Sequence, residues 1–211
     1  MVSLSAVVGV AAVAFGMVMT PGPNMMYLVS RSLTQGRAAG MMSLSGVVTG
    51  FALYVLATAA GLSLVFVAVP ELFWTVKLLG AAYLLWLAWG MVRRTKNAFS
   101  PDLTMPHHSP RRLYVMGITT CLLNPKIALM YGALLPQFVR AGSGPTTVQL
   151  VELGLVQIAV ATLVNATWVL LAAQVARWLH RSPRAERGVR WSTAGLLTWF
   201  AVHLGLARAA A

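Results

Sequence analysis

The chain has 211 residues, of which 58% are hydrophobic and only 9% charged, and 16 Lys+Arg against 4 Asp+Glu leave a net charge of +12. A soluble domain carries about 25% charged residues, so this chain has too little polar surface to cover a water-facing globule, and its mean hydropathy is +0.75. A basic excess of this size would suggest nucleic acid in a soluble protein; here the positions of the charges decide otherwise.

A bilayer span takes about 20 mostly apolar residues. Six stretches qualify, roughly 5–30, 41–69, 72–92, 113–138, 150–176 and 191–208. The first begins in a run from Met1 to Ser30 that carries no charge. It lacks a basic start and is too long for a signal-peptide core, so it is expected to be a retained span. Its middle is broken by Thr20-Pro21-Gly22-Pro23-Asn24. A helical proline removes one N–H and frees the carbonyl four residues earlier. Pro21 therefore frees the carbonyl of Met17, and Pro23 frees that of Met19. Thr20 and Gly22 precede prolines and are steered out of the helical region. In lipid, irregular backbone survives only inside protein or beside a watery cavity. A proline kink held by neighbours is the bland reading; two prolines and a glycine undo more than one turn, which favours a binding cavity.

The second span carries Gly46 and Gly50 as GxxxG, a motif for close helix approach. Packing within the chain is its plain reading, and a part in gating or coupling the other. Lys77 in the third span lies about 9 Å along the helix from Glu71, so its stem can carry the ammonium back toward the surface. The fourth span repeats the first span's signal with Asn124-Pro125-Lys126. Pro125 frees the carbonyl of Cys121, and Asn124 and Thr20 can cap locally. Lys126 lies 14 residues from Arg112 and from Arg140, about 21 Å from either if helical. A lysine this deep is rare and usually functional. It either meets a substrate carboxylate, or gates, or pairs with carbonyls to pin the broken helix. No Asp or Glu falls in mid-membrane, which disfavours a cationic side chain as cargo.

The basic residues between spans are Arg31, Arg37, Arg93, Arg94, Lys96, Arg111, Arg112, Arg177, Arg181, Arg184, Arg187 and Arg190, all in alternate loops. The opposite loops and the termini hold only Arg140 and Arg208. This is the positive-inside asymmetry. It predicts a multi-pass protein of a bacterial cytoplasmic membrane with both termini outside, and it accounts for the basic charge without nucleic acid. Trp74, Trp89, Trp178 and Trp191 fall at expected interfaces; Trp86, Trp168 and Trp199 fall deeper and read as packing residues.

The polar segment Arg93–Arg112 divides the chain into a first three-helix repeat (1–95), a cytoplasmic linker (96–111) and a second repeat (112–211). Three spans per half must insert with opposite orientation, the inverted repeat common in secondary transporters. The expected fold is thus an all-α membrane protein of six transmembrane helices in two inverted repeats, with broken first and fourth helices. One cysteine, Cys121, allows neither an internal disulfide nor a dithiol relay. His107-His108 in the linker lack the further ligands a metal site needs. No phosphate-loop motif occurs, and no nucleophile–base pair suggests an enzyme. No cofactor or metal is expected.

Several of these residues together resemble the LysE/RhtB family of bacterial amino-acid exporters. The resemblance rests on TPGPN (20–24), SLTQGRAAG (32–40), GVVTG (46–50), KLLGAAYLLWLAWG (77–90), NPKIALMYGALLPQF (124–138) and, more loosely, AGLLTWFAVHLGL (194–206). It covers nearly the whole chain in order. It implies efflux of amino acids or similar zwitterions, such as threonine or homoserine, coupled to protons, with a homo-oligomer left open. The expected substrate residues, at the two breaks, are Thr20, Pro21, Gly22, Pro23, Asn24, Asn124, Pro125 and Lys126; Lys77, Tyr83, Gly46 and Gly50 are expected in gating or coupling. The alternatives are a membrane scaffold or assembly subunit that transports nothing, and a carrier of a different small metabolite.

Overall fold

A computed structural model describes residues 2–20, 22–62 and 106–181 without interruption, and isolated positions within 78–89 and 187–202. Pro21, Lys77 and Tyr83 lie outside the described residues, as do most of the third and sixth expected spans. Among the described residues all regular structure is helical, with no strand. In order they form α1 (Leu4–Met19), α2 (Pro23–Gln35), α3 (Arg37–Ala57), α4 (Pro110–Leu122), α5 (Pro125–Leu129) and α6 (Thr146–Arg181). Wider turns extend α3 through Thr58–Leu62 and α5 through Met130–Leu134, and a tighter turn, Leu135–Phe138, follows.

Helix boundaries follow local chemistry. Ser3 and Ser109 cap α1 and α4 by accepting from Ala6 N and Arg112 N, and Pro110 opens α4 where its missing N–H costs nothing. Gly36 separates α2 from α3 at φ 88°, a left-handed conformation that disfavours any side chain. The sequence places Arg31 after the first span; it lies within α2 and is buried. Its Nη1 donates 3.1 Å to the carbonyl of Pro106. Gln35 continues the clamp: its Nε2 donates to His108 O and its Oε1 accepts from His108 N, both at 3.0 Å. The end of the linker is thereby fastened to the C-terminal end of α2.

Among the described residues two helices are each long and apolar enough to cross a bilayer, Arg37–Gly61 and Thr146–Gln174. Two bent pairs also qualify if each is taken as one span: α1 with α2, bent by 56°, and Pro110–Leu122 with Pro125–Phe138, bent by 52°. Both bends fall at the sequence's Asn–Pro breaks, as a proline in a helix requires. The polarity is inverted relative to a soluble bundle. On α6, Gln157, Ala161, Asn165 and Val169 are buried, whereas Leu155 and Leu163 are 57% and 70% exposed. A belt of exposed leucines on a helix with polar groups inside suits hydrocarbon, not water. Trp86 and Trp199, read from the sequence as packing residues, are instead mostly exposed, at 65% and 56%, and belong to this outward surface.

α3 packs most extensively on α4, and glycines set the distance. A Cβ on Gly46 would run into the carbonyl oxygen of Tyr114, one on Gly117 into that of Ser43, and one on Gly50 would lie 2.6 Å from Cys121 Cβ. The GxxxG of the second span therefore joins a helix from before the linker to one from after it. Tyrosine hydroxyls reinforce the seam: Tyr27 donates to Leu113 O at 2.7 Å, Tyr54 to Leu122 O at 2.8 Å, and Thr49 Oγ1 pairs with Tyr114 Oη at 2.9 Å. α6 packs across α1, α2 and α3 and closes the bundle, with Ser32 Oγ donating 2.6 Å to Val169 O. Because the obstacle at Gly46 is backbone, no rotamer change relieves it. Gly46→Val is expected to destabilise the protein by ~1–3 kcal/mol or more, read as a lowered unfolding midpoint in detergent.

Candidate functional site

The two helix breaks meet. α1 ends at Met19, and Thr20 turns away extended, while its Oγ1 donates back to Gly16 O at 2.9 Å. Gly22 is extended, and α2 starts with Pro23 and no side-chain cap. At the second break Asn124 is extended and caps α5 through Oδ1, which accepts from Lys126 N at 3.1 Å. Its own N–H takes up the carbonyl of Cys121 at 3.1 Å, the group that Pro125 releases. Between the breaks Asn124 Nδ2 donates to Asn24 Oδ1 at 2.9 Å. The Asn of one break is thus bonded to the Asn of the other, and both are buried.

Lys126 follows directly and is 4% exposed. Its ammonium donates to Met17 O at 2.8 Å and to Thr20 O at 2.9 Å. Met17 O is the carbonyl that a proline at position 21 leaves without its helical donor. The ammonium lies at the C-terminal end of α1, where the helix dipole favours positive charge. It also explains the glycine. A Cβ on Gly22 would come within 2.8 Å of Lys126 Nζ and 3.2 Å of Cε, so the lysine crosses the chain where there is no side chain to obstruct it.

A small cavity opens beside this junction. It is lined by Asn24, Asn124 and Lys126 from the breaks, by apolar side chains including Met17 and Phe51, and by Gln157 and Asn165 from α6. Its volume is about 20 Å³, room for about one water. Gln157 Oε1 accepts from the Tyr131 hydroxyl, and Tyr131 stacks on Tyr54 with centroids 5.3 Å apart. No carboxylate lines the cavity among the described residues.

Of the residues singled out in the sequence, Thr20, Gly22, Asn24, Asn124 and Lys126 come together here, with Pro23 and Pro125 opening the helices behind them. Gly46 and Gly50 lie instead in the α3–α4 seam. Sequence reasoning missed Gln157 and Asn165. Their signal was available: two amides eight residues apart share one face of a helix, in a span otherwise apolar.

Comparison with known proteins shows the family. The family model described as LysE type translocator matches residues 15–208. The chain belongs to that family. It is therefore a multi-pass membrane transporter and not an enzyme. It is 30% identical to an uncharacterised membrane protein of Bacillus subtilis over 97% of this chain and 99% of the relative. It is 28% identical to a homoserine/homoserine lactone efflux protein of Salmonella typhimurium, over 90% of this chain and 91% of the relative. A leucine efflux protein of Enterobacter is 30% identical over 63% of each chain. No solved structure matches the chain.

The Asn24–Asn124 bond joins the two breaks side chain to side chain, beside the bonds from Lys126 to the carbonyls of Met17 and Thr20. In membrane bundles such pairs couple by about 0.6 kcal/mol on average and up to about 1.7. A double-mutant cycle with Asn24→Ala and Asn124→Ala is expected to give a coupling in that range by reversible unfolding in mixed micelles. Lys126→Met removes the donor to two buried carbonyls and should cost ~1–3 kcal/mol for each left unpaired, measured in the same way.

Proposed function

We propose that this transporter is a secondary exporter of amino acids or closely related small zwitterions, and that the junction of the two breaks is its substrate site. The observation that carries the reading is the Lys126 ammonium held at 2.8 and 2.9 Å by Met17 O and Thr20 O. Two carbonyls arranged around an ammonium are already a seat for a substrate α-ammonium, and the lysine they hold is a partner for a substrate carboxylate. When cargo enters, its carboxylate draws Lys126 away and its ammonium takes the vacated carbonyls. The first turn of α2, Asn24 and Met25, lines the same cavity and offers the positive end of a helix dipole to the carboxylate. Relatives named as efflux proteins for homoserine and leucine support an amino-acid cargo.

The wider reading follows from the sequence. Six helices form two inverted repeats in the bacterial inner membrane, with both termini outside as the basic loops indicate. Export draws on the proton gradient. A cavity with room for about one water is smaller than any amino acid, so the arrangement described is a closed one. Access alternates as the half-helices hinge at the breaks, while the glycine seam between α3 and α4 stays together.

The test is counterflow of labelled amino acids into proteoliposomes holding the purified protein, with and without an imposed pH gradient. Saturable movement of one amino-acid class, accelerated by the gradient, is expected. Lys126→Ala and Asn24→Ala should each lower it by tenfold or more, as for loss of a charged or bidentate contact worth ~1.5–3 kcal/mol. Normal transport by both variants sinks the site. Absence of transport by folded wild-type protein sinks the function and returns the molecule to a scaffold or a carrier of another metabolite.

A further inference from the structure

The cavity has a wall that the breaks do not supply. α6 contributes Gln157 and Asn165, which are 1% and 2% exposed. Asn165 Nδ2 donates 2.8 Å to Ala161 O. That bond fixes the amide, and the group left over is Oδ1, an acceptor with no hydrogen-bond partner. The same logic applies to Asn24. Its Oδ1 is taken by Asn124, which leaves Nδ2 as a buried donor facing the Cys121 thiol, a weak acceptor. Buried polar atoms in native proteins nearly always pair. Here one acceptor and one donor, both uncharged, remain in the lining of a cavity with room for about one water.

The group that answers to this description donates one hydrogen bond, accepts another, carries no charge and has the size of a water. We propose that Asn165, together with Asn24, reads a hydroxyl on the side chain of the cargo, and that Asn165 is thereby a specificity-determining residue favouring hydroxylated neutral amino acids over apolar ones of the same shape. The inference rests on the reading of this cavity as the substrate site. An apolar cargo leaves both amide atoms unpaired, and a site built to bond a hydroxyl rejects the analogue that lacks it far more strongly than an apolar pocket rejects an added hydroxyl. A cationic side chain finds no carboxylate in the described lining.

Threonine and valine make the comparison, since they differ by a hydroxyl in place of a methyl. In proteoliposome counterflow with wild-type protein, kcat/KM for threonine is expected to exceed that for valine by about tenfold or more. Asn165→Ala should bring the ratio toward one, and Asn165→Ser, which retains an acceptor, should recover part of it. A wild-type protein that moves amino acids without favouring threonine overturns this inference and leaves the exporter reading standing. So does an Asn165→Ala protein that keeps the wild-type ratio, in which case the two amides hold only a resident water. If Asn165→Ala does not fold, the wild-type ratio and Asn165→Ser still decide. Failure of the wild type to move any amino acid overturns the exporter reading, and this inference with it.

Discussion

A proline inside a membrane helix leaves a carbonyl with nothing to bond, and hydrocarbon offers no water in its place. At the first break that debt of hydrogen bonding is met from beyond the linker. Lys126 is 109 residues from Met17, yet its ammonium holds the carbonyls of both Met17 and Thr20. The arrangement satisfies two needs together. Burying an isolated ammonium costs far more than burying a hydrogen-bonded one, and unpaired carbonyls at a helix end are costly in lipid. Each makes the other tolerable. Gly22 clears the path for the lysine, Asn124 caps the short helix that aims it, and Asn24 ties that cap to the opposite break. Removing any of these loosens the remainder, because the residues act on one another and not on a common scaffold.

The seam between α3 and α4 is of a different kind. Gly46 and Gly117 bring backbone against backbone, and tyrosine hydroxyls on α2 and α3 bond carbonyls of α4. A motion that rocked the segment before the linker against the segment after it, as rigid halves, would have to part this seam. Hinging at the breaks does not. There the chain is already extended at Thr20, Gly22 and Asn124, and polar bonds between the breaks help hold it. The packing of α4 against α2 and α3 thus crosses the linker that divides the sequence into halves.

Much of the site was legible in the sequence because its chemistry is local. Proline names the carbonyl it frees, so Met17 O follows from Pro21 by counting. An amide beside a proline reads as a cap, and Asn124 is one. A lysine far from either membrane face must find partners in the interior, and pairing with carbonyls was among its expected fates. What stayed hidden depends on long-range packing. Nothing local says that Asn24 and Asn124 meet, or that GxxxG faces α4. Gln157 and Asn165 carry a helical spacing, but spacing alone does not tell which face turns inward in an apolar helix. Arg31 looked like a loop charge and proved to be a buried clamp on the linker, since a carbonyl at Pro106 accepts what the sequence leaves unassigned. The readings of Trp86 and Trp199 failed for the opposite reason: depth along a span does not distinguish lipid from core.

The swap at Lys126 also bears on which cargo the proposed site accepts. Before entry, one ammonium is held by two carbonyls. After a zwitterion enters, the substrate ammonium is held by those carbonyls and the lysine is held by the substrate carboxylate. No buried charge is left without a partner at either stage, so the exchange avoids the cost of an unpaired ion. A cargo with an amine and no carboxylate would displace Lys126 with nothing to receive it, leaving two like charges together in a cavity with no described carboxylate. A cargo with a carboxylate and no amine would draw the lysine away and leave Met17 O and Thr20 O bare. Only a molecule carrying both groups keeps the count of paired charges constant. On the proposed reading, the break in the first helix would select for the α-amino acid core, and the amides of α6 would be left to discriminate among side chains.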